Sequence, residues 1–177
     1  MYYDPLGRVV KTVNADNSEQ RVVYGVPTAL NAPSNFTPTP WENYAYDAND
    51  LAPLTNPTGS NVPASHYYTP KSSEVDALGR TIQTTEFFDN NNYANTIDMN
   101  YRYDVRGNLL EVKDPYSRTV FEHVYDLRTP QKEQPLPPLK TKHIDKGISR
   151  ILFDVTGKPI ESNDAKGAQA LSAYDVI

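Results

Sequence analysis

Apolar and polar residues alternate along much of the chain, and the alternation keeps breaking at the same short phrase. Met99, Tyr101 and Tyr103 alternate with polar neighbours, and after a gap Leu110 and Val112 alternate with Glu111 and Lys113. A period of two is the mark of a strand with one face buried, because successive side chains in a strand point to opposite sides. The gap reads Asp104-Val105-Arg106-Gly107. Asp suits the first position of a type I turn, where its carboxylate accepts from backbone N–H groups two residues on. Gly suits the fourth, which in a hairpin of this kind takes a left-handed conformation and forms a bulge. The phrase predicts a hairpin corner.

The same corner is written as Asp4-Pro5-Leu6-Gly7, Asp76-Ala77-Leu78-Gly79, Asp154-Val155-Thr156-Gly157 and Asp164-Ala165-Lys166-Gly167. In the first of these, Pro5 presets φ at the second turn position. Asp114-Pro115-Tyr116-Ser117 is a degenerate copy with Ser in place of Gly. Spacing adds to the pattern. Asp104, Asp114 and Asp126 lie 10 and 12 residues apart, and Asp154, Asp164 and Asp175 lie 10 and 11 apart. Each run is thus a double unit opening and closing on Tyr-Asp or Phe-Asp. Periods near 20 residues belong to repeat architectures, in which each unit buries its face against its neighbours.

Clear repeats cover residues 1–25, 71–128 and 150–177. Between them, 26–41, 51–70 and 129–140 are rich in Pro, Asn, Ser and Thr and are expected to be connectors, the first two as long surface loops. Residues 87–96 are expected to be a hairpin loop between strands at 81–88 and 96–103. The Pro-rich run at 129–140 also admits a proline-helix ligand reading. The Ala-rich stretch 165–173 carries a weak helical pattern, which Gly167 and the flanking corners turn in favour of a hairpin.

Composition narrows the chemistry. The 177 residues include 13 Tyr and 15 Pro, which suits an all-β chain with many turns. A net charge of −5 argues against a nucleic-acid partner, which would favour a basic face. No stretch approaches the ~20 apolar residues of a membrane-spanning helix, and "MYYDPLGR" has none of the regions of a signal peptide. Cysteine is absent, which removes disulfides and thiol catalysis. His66, His123 and His143 lack metal-ligand spacing, and His143 and Asp145 would share one face of a strand. The stretches from Asp47 and from Asp89 are rich in oxygen ligands but lack the Gly and Glu of a calcium loop. No nucleophile, phosphate-loop or dinucleotide motif occurs. The expectation is no catalytic, cofactor or metal residue, the functional positions being the structural corners themselves. Tyrosines before the corners, such as Tyr103 and Tyr125, are expected to form cross-strand ladders, although sugar stacking is open to them. Arg8, Arg80 and Asn108, directly after the corner Gly, are expected to pair with acidic groups of the next repeat.

These corners, with "WENYAYDANDLAPLTNPTGSNVPASHYYTPKSSEVDALGRTIQTTE", "YRYDVRGNLLEVKD" and "FEHVYDLRTP", resemble the YD or Rhs repeat of bacterial polymorphic toxins, Tc insecticidal toxin complexes and teneurins. The similarity is to the B/C-type Tc subunits in particular and covers essentially the whole chain. It implies a curved antiparallel sheet of hairpins, a partial segment of a hollow β-shell enclosing a C-terminal toxin domain. Its implied partners are the rest of that shell, the enclosed toxin and, through regions outside this chain, other Tc subunits, in a secreted complex. The family's propeller and self-cleaving aspartyl-protease region are not recognisable here, so the chain reads as a fragment. Asp4-Pro5-Leu6-Gly7 is superficially similar to the family's cleavage site, but Arg8 replaces its Leu. An adhesion or glycan-binding module is the alternative.

Overall fold

A computed structural model describes residues 1–55, 61–126 and 137–175. The chain divides into two units, Met1–Met99 and Asn100–Ile177. In both, strands follow one another in the sheet in chain order and pair antiparallel. The expected all-β antiparallel architecture is therefore present.

The first unit contains β1 (Tyr2–Tyr3), β2 (Val9–Val13), β3 (Glu19–Pro27), β4 (Phe36–Tyr46), β5 (Lys71–Val75) and β6 (Thr81–Phe87). Strand β7 (Thr96–Tyr103) begins in it. Its core is small: Val23, Tyr44, Tyr46 and Leu51 are buried together, with Leu30 and Phe87 against them. Val23 faces Tyr44 across β3 and β4, and Tyr46 lies two residues on, so the alternation places all three on one face. The rings of Tyr44 and Phe87 stack with centroids 6.2 Å apart.

Two connectors differ from their expected form. Residues 26–41 are not one loop, since β3 runs through Pro27 and β4 starts at Phe36. Between them Thr28 donates to the Asn35 carbonyl through both its N–H and its hydroxyl. Prolines fit because the ladder is interrupted: Tyr24 pairs with Asn43 but Gly25 pairs with Pro38. Pro40 sits in the unpaired interval, where a missing N–H costs no ladder bond. Gly25 is needed there, since a Cβ would collide with the Thr37 carbonyl oxygen and lie 2.8 Å from the Phe36 ring.

Residues 51–70 are not purely a surface loop either. They carry α1 (Ala52–Thr55) and one 3-10 turn (Ala64–His66), and Leu51 and Pro70 are fully buried. The apolar side chain that opens the segment completes the core of the sheet. That contact is tertiary, so local composition did not announce it.

The second unit continues β7 and adds β8 (Leu109–Lys113), β9 (Thr119–Val124), β10 (Lys140–His143), β11 (Gly147–Phe153), β12 (Pro159–Asn163) and β13 (Gln169–Leu171). The stretch 165–173 is the corner and second strand of a hairpin. Val112 is the buried apolar residue among those described in this unit. Phe121 lies beside His123 (5.9 Å, stacked) and edge-on to His143 (4.5 Å), forming a row of rings across β9 and β10. The end of the third clear repeat and most of the Pro-rich connector, with its proline-helix reading, lie outside the described residues.

Candidate functional site

The corners are built alike. Each corner Asp donates its N–H to the carbonyl of the residue four on, and its own carbonyl accepts from the fourth-position N–H. This holds for Asp4, Asp76, Asp104, Asp114, Asp154 and Asp164. The Asp side chain adds a second set of bonds. Its Oδ1 accepts the N–H groups of the residues two and four positions on, at 2.8–3.0 Å. Gly7, Gly79, Gly107, Gly157 and Gly167 all have positive φ, between 74° and 92°. Ser117 takes φ 60° in the degenerate copy, so the hydrogen-bond set closes the turn without Gly. A residue slips in the ladder at Tyr2/Tyr3, Glu74/Val75, Arg102/Tyr103, Val112/Lys113 and Leu152/Phe153, which are the bulges beside these turns.

Oδ2 is used as well. Arg8, Arg80 and Arg118 each place Nε 2.7 Å from Oδ2 of their own corner's Asp, with Nη2 at 2.6–2.7 Å. Asn108 donates from Nδ2 to Asp104 at 2.8 Å. Each of these side chains thus holds a partner four residues back in its own corner, because the turn brings it over that carboxylate. The Arg118 bond is the largest influence on Asp114 and holds its carboxyl below the usual range; Arg80 does the same for Asp76. For Asp4 and Asp104, partial desolvation pushes the other way but is outweighed by donors from Arg8 and Leu6, and from Asn108 and Arg106. Arg8 also lies 3.8 Å above the Tyr24 ring, which ties the first corner to β3.

Sequence reasoning missed two corners. Asn14 and Asn17 close one with the same backbone bonds, Asn17 taking φ 64°. Asn tolerates the left-handed region, so Asn at the first and fourth positions was the available signal. The other is the β10–β11 turn at His143. Asp145 lies in that turn, not in a strand beside His143, since the strand ends at His143.

One acidic residue is held differently. Asp50 is 4% exposed. Its Oδ2 accepts the Asp47 N–H at 2.8 Å, and its Oδ1 accepts the Thr69 N–H at 2.8 Å and hydroxyl at 3.0 Å. Burial raises its carboxyl above the usual range despite these donors. The side chain pins the end of the 51–70 segment to its beginning, directly beside Leu51. Such a carboxylate is a staple, with all its close partners in the backbone or on Thr69. Among the described residues, no three His, Cys, Asp or Glu side chains converge as a metal site, and no helix is long and apolar enough to cross a membrane.

Repeated Asp-closed hairpins in a chain-ordered antiparallel sheet are the arrangement that a resemblance to the YD/Rhs repeat implies. The chain resembles the Rhs-repeat shell region of Tc insecticidal toxins in particular. It is similar to a chain of the Photorhabdus luminescens Tc holotoxin pore, at 26% identity and a TM-score of 0.77, over 98% of this chain. It is likewise similar to crystal structures of TcdB2-TccC3 without the hypervariable C-terminal region and of TcdB2-TccC3, at 26% identity and TM-scores of 0.75 and 0.74. The chain spans 8% of the length of each of these solved chains. No family model matches the sequence. No curated protein matches it significantly.

Proposed function

We propose that this chain is a structural segment of the hollow β-shell that encapsulates the toxin cargo of a bacterial Tc/Rhs-type toxin, with no catalysis of its own. The observation that supports this reading is the similarity over 98% of the chain to the shell of the Tc structures. The chemistry agrees with a wall. Corner carboxylates are consumed by their own turns, and Asp50 is consumed by the segment it staples. In this reading residues 1–177 are one partial Rhs/YD-repeat region. The corner residues Asp4, Gly7, Asp76, Gly79, Asp104, Gly107, Asp154, Gly157, Asp164 and Gly167 act as its structural positions. Its partners are the remaining shell, the enclosed toxin domain and other subunits of a secreted toxin complex.

Limited proteolysis of the longer protein containing this chain tests the cargo function. A segment downstream of the repeats should stay intact until the shell is opened by denaturant, then digest at once. Digestion of that segment at the same rate before and after opening overturns the reading. Incubation of the chain at about pH 4 to 8, followed by intact mass measurement, tests the absence of catalysis. A discrete self-cleavage product would contradict it.

A further inference from the structure

His143 occupies in its turn the place that Asp occupies in the repeat corners. It is the last residue of β10, it faces Gly147 across the hairpin, and Gly147 has φ 82° as the corner glycines do. Its Nδ1 accepts the N–H of Asp145 at 3.0 Å and of Lys146 at 3.2 Å. In the corners the Asp Oδ1 likewise accepts two backbone N–H groups, but those of the residues two and four on, and the left-handed residue there is the third on rather than the fourth. In both cases one acceptor atom on the residue that opens the turn holds two backbone amides within the next four residues. The chemistry of that atom differs. A carboxylate gives up its acceptor role only in the acid range of carboxyl groups, whereas an imidazole does so near pH ~6.5.

We propose that the β10–β11 hairpin is an acid-sensitive corner, in which protonation of His143 Nδ1 turns the acceptor of two backbone N–H groups into a competing donor and opens the turn. A protonated Nδ1 directs its hydrogen at the N–H groups of Asp145 and Lys146, so both amides lose their partner together. The Asp-closed corners keep their bonds over the same interval, so this hairpin opens before they do.

The charged and titratable groups around His143 come from the turn, from the neighbouring corner and from the paired strands. The turn itself supplies one carboxylate and one ammonium, Asp145 and Lys146. Asp164 and Lys166, at the β12–β13 corner, line the same groove of about 730 Å³ as His143. Arg118, at the start of β9, lies within the field of Asp145 and offsets its charge. From the paired strands come Phe121 and the Glu122–Lys142 pair, 3.9 Å apart. His123 is bound to Thr141 at 3.1 Å and touches neither turn amide. The groove gives water and protons access to His143, which is only half-buried.

Amide hydrogen exchange on the full chain, expressed as protection relative to intrinsic rates, reads the switch directly. Protection at Asp145 and Lys146 should fall about tenfold between pH ~7.5 and ~5, and protection at the Tyr116 and Arg118 amides should not. His143→Asn, which keeps a side-chain acceptor that does not titrate, should abolish the fall, and His123→Asn should preserve it. Flat protection in the native chain, or an equal fall in His143→Asn, overturns the proposal. If His143→Asn does not fold, the native chain still decides by NMR. The Asp145 and Lys146 amide shifts should titrate with the midpoint of the His143 ring, and a separate midpoint overturns the proposal.

Discussion

Arg118 grips the corner that precedes it: its Nε and Nη2 lie 2.7 and 2.6 Å from Oδ2 of Asp114, while Oδ1 of the same carboxylate holds the backbone N–H of Arg118 itself. Side chain and main chain of one residue thus bind both oxygens of another four positions back. The Arg guanidinium is largely exposed, and solvent screening leaves exposed ion pairs with little net stabilisation. The backbone donors are a different matter, since losing their acceptor leaves two turn amides unpaired. Asp114→Ala is therefore expected to lower the melting temperature more than Arg118→Ala. Thermal melts by circular dichroism compare them, and equal losses would show that the ion pair, not the turn, carries the effect.

Glycine substitutions should separate strain from collision. A Cβ at Gly107 meets nothing within 4 Å, so Gly107→Ala confronts only the positive φ of 92°. That costs about 1–2 kcal/mol, and Gly107→Asn should cost less, as Asn17 shows in its own corner. Gly25→Ala has backbone atoms in its way and should be far worse. Urea midpoints give the order directly, and a mild Gly25→Ala would mean that the bulge relaxes.

Acid stability follows from the corner carboxylates. Asp76 and Asp114 are depressed first by their Arg partners, and Asp154 first by the Thr156 hydroxyl. A depressed carboxyl contributes stability that is present above its unfolded value, about 3.9, and is lost as pH falls through the lower folded value. Their contribution should hold from neutral pH to about 4.5 and decline below about 4. A chain whose global stability is unchanged down to pH ~2 would not have these carboxylates ionised in the folded state.

Asp50 has the opposite sign. Burial raises its folded value, so its contribution grows as pH falls through that value and is lost as pH rises through it. Asp50→Asn should flatten this rise. Asp50→Ala strands the Asp47 and Thr69 donors and should cost about 1–3 kcal/mol. Chemical denaturation at several pH values distinguishes the two variants, and identical pH profiles for Asp50→Asn and the native chain would refute the assignment.

Leu51→Ala should cost about 2–5 kcal/mol, as for other large-to-small changes in a core. Because Leu51 begins the 51–70 segment, the first sign should be faster protease cutting there than in the Asp-closed corners. Uniform cutting throughout the chain would mean that Leu51 supports the whole unit.

What the sequence determined was everything local. An Asp-x-x-Gly phrase carries its own donors, acceptor and left-handed residue within five positions, so the strands, turns and chain-order meander could be read without knowing what lay across the sheet. The degenerate Asp114 corner was legible for the same reason, because the carboxylate remained when Gly did not. The own-corner partners of Arg8, Arg80 and Asn108 were not legible because spacing alone does not show which way a side chain folds over a turn. His143 reads as a strand residue because an imidazole is not an expected turn acceptor, and only its bonds to the Asp145 and Lys146 amides, with Gly147 in register opposite, reveal the role. Tertiary structure alone decided the burial of Leu51, in a segment with the composition of a surface loop, and of Asp50 just before it. Their partners Val23, Tyr44, Phe87 and Thr69 come from separate places in the chain, and hydrophobic burial depends on what converges in space, whatever the neighbours in sequence.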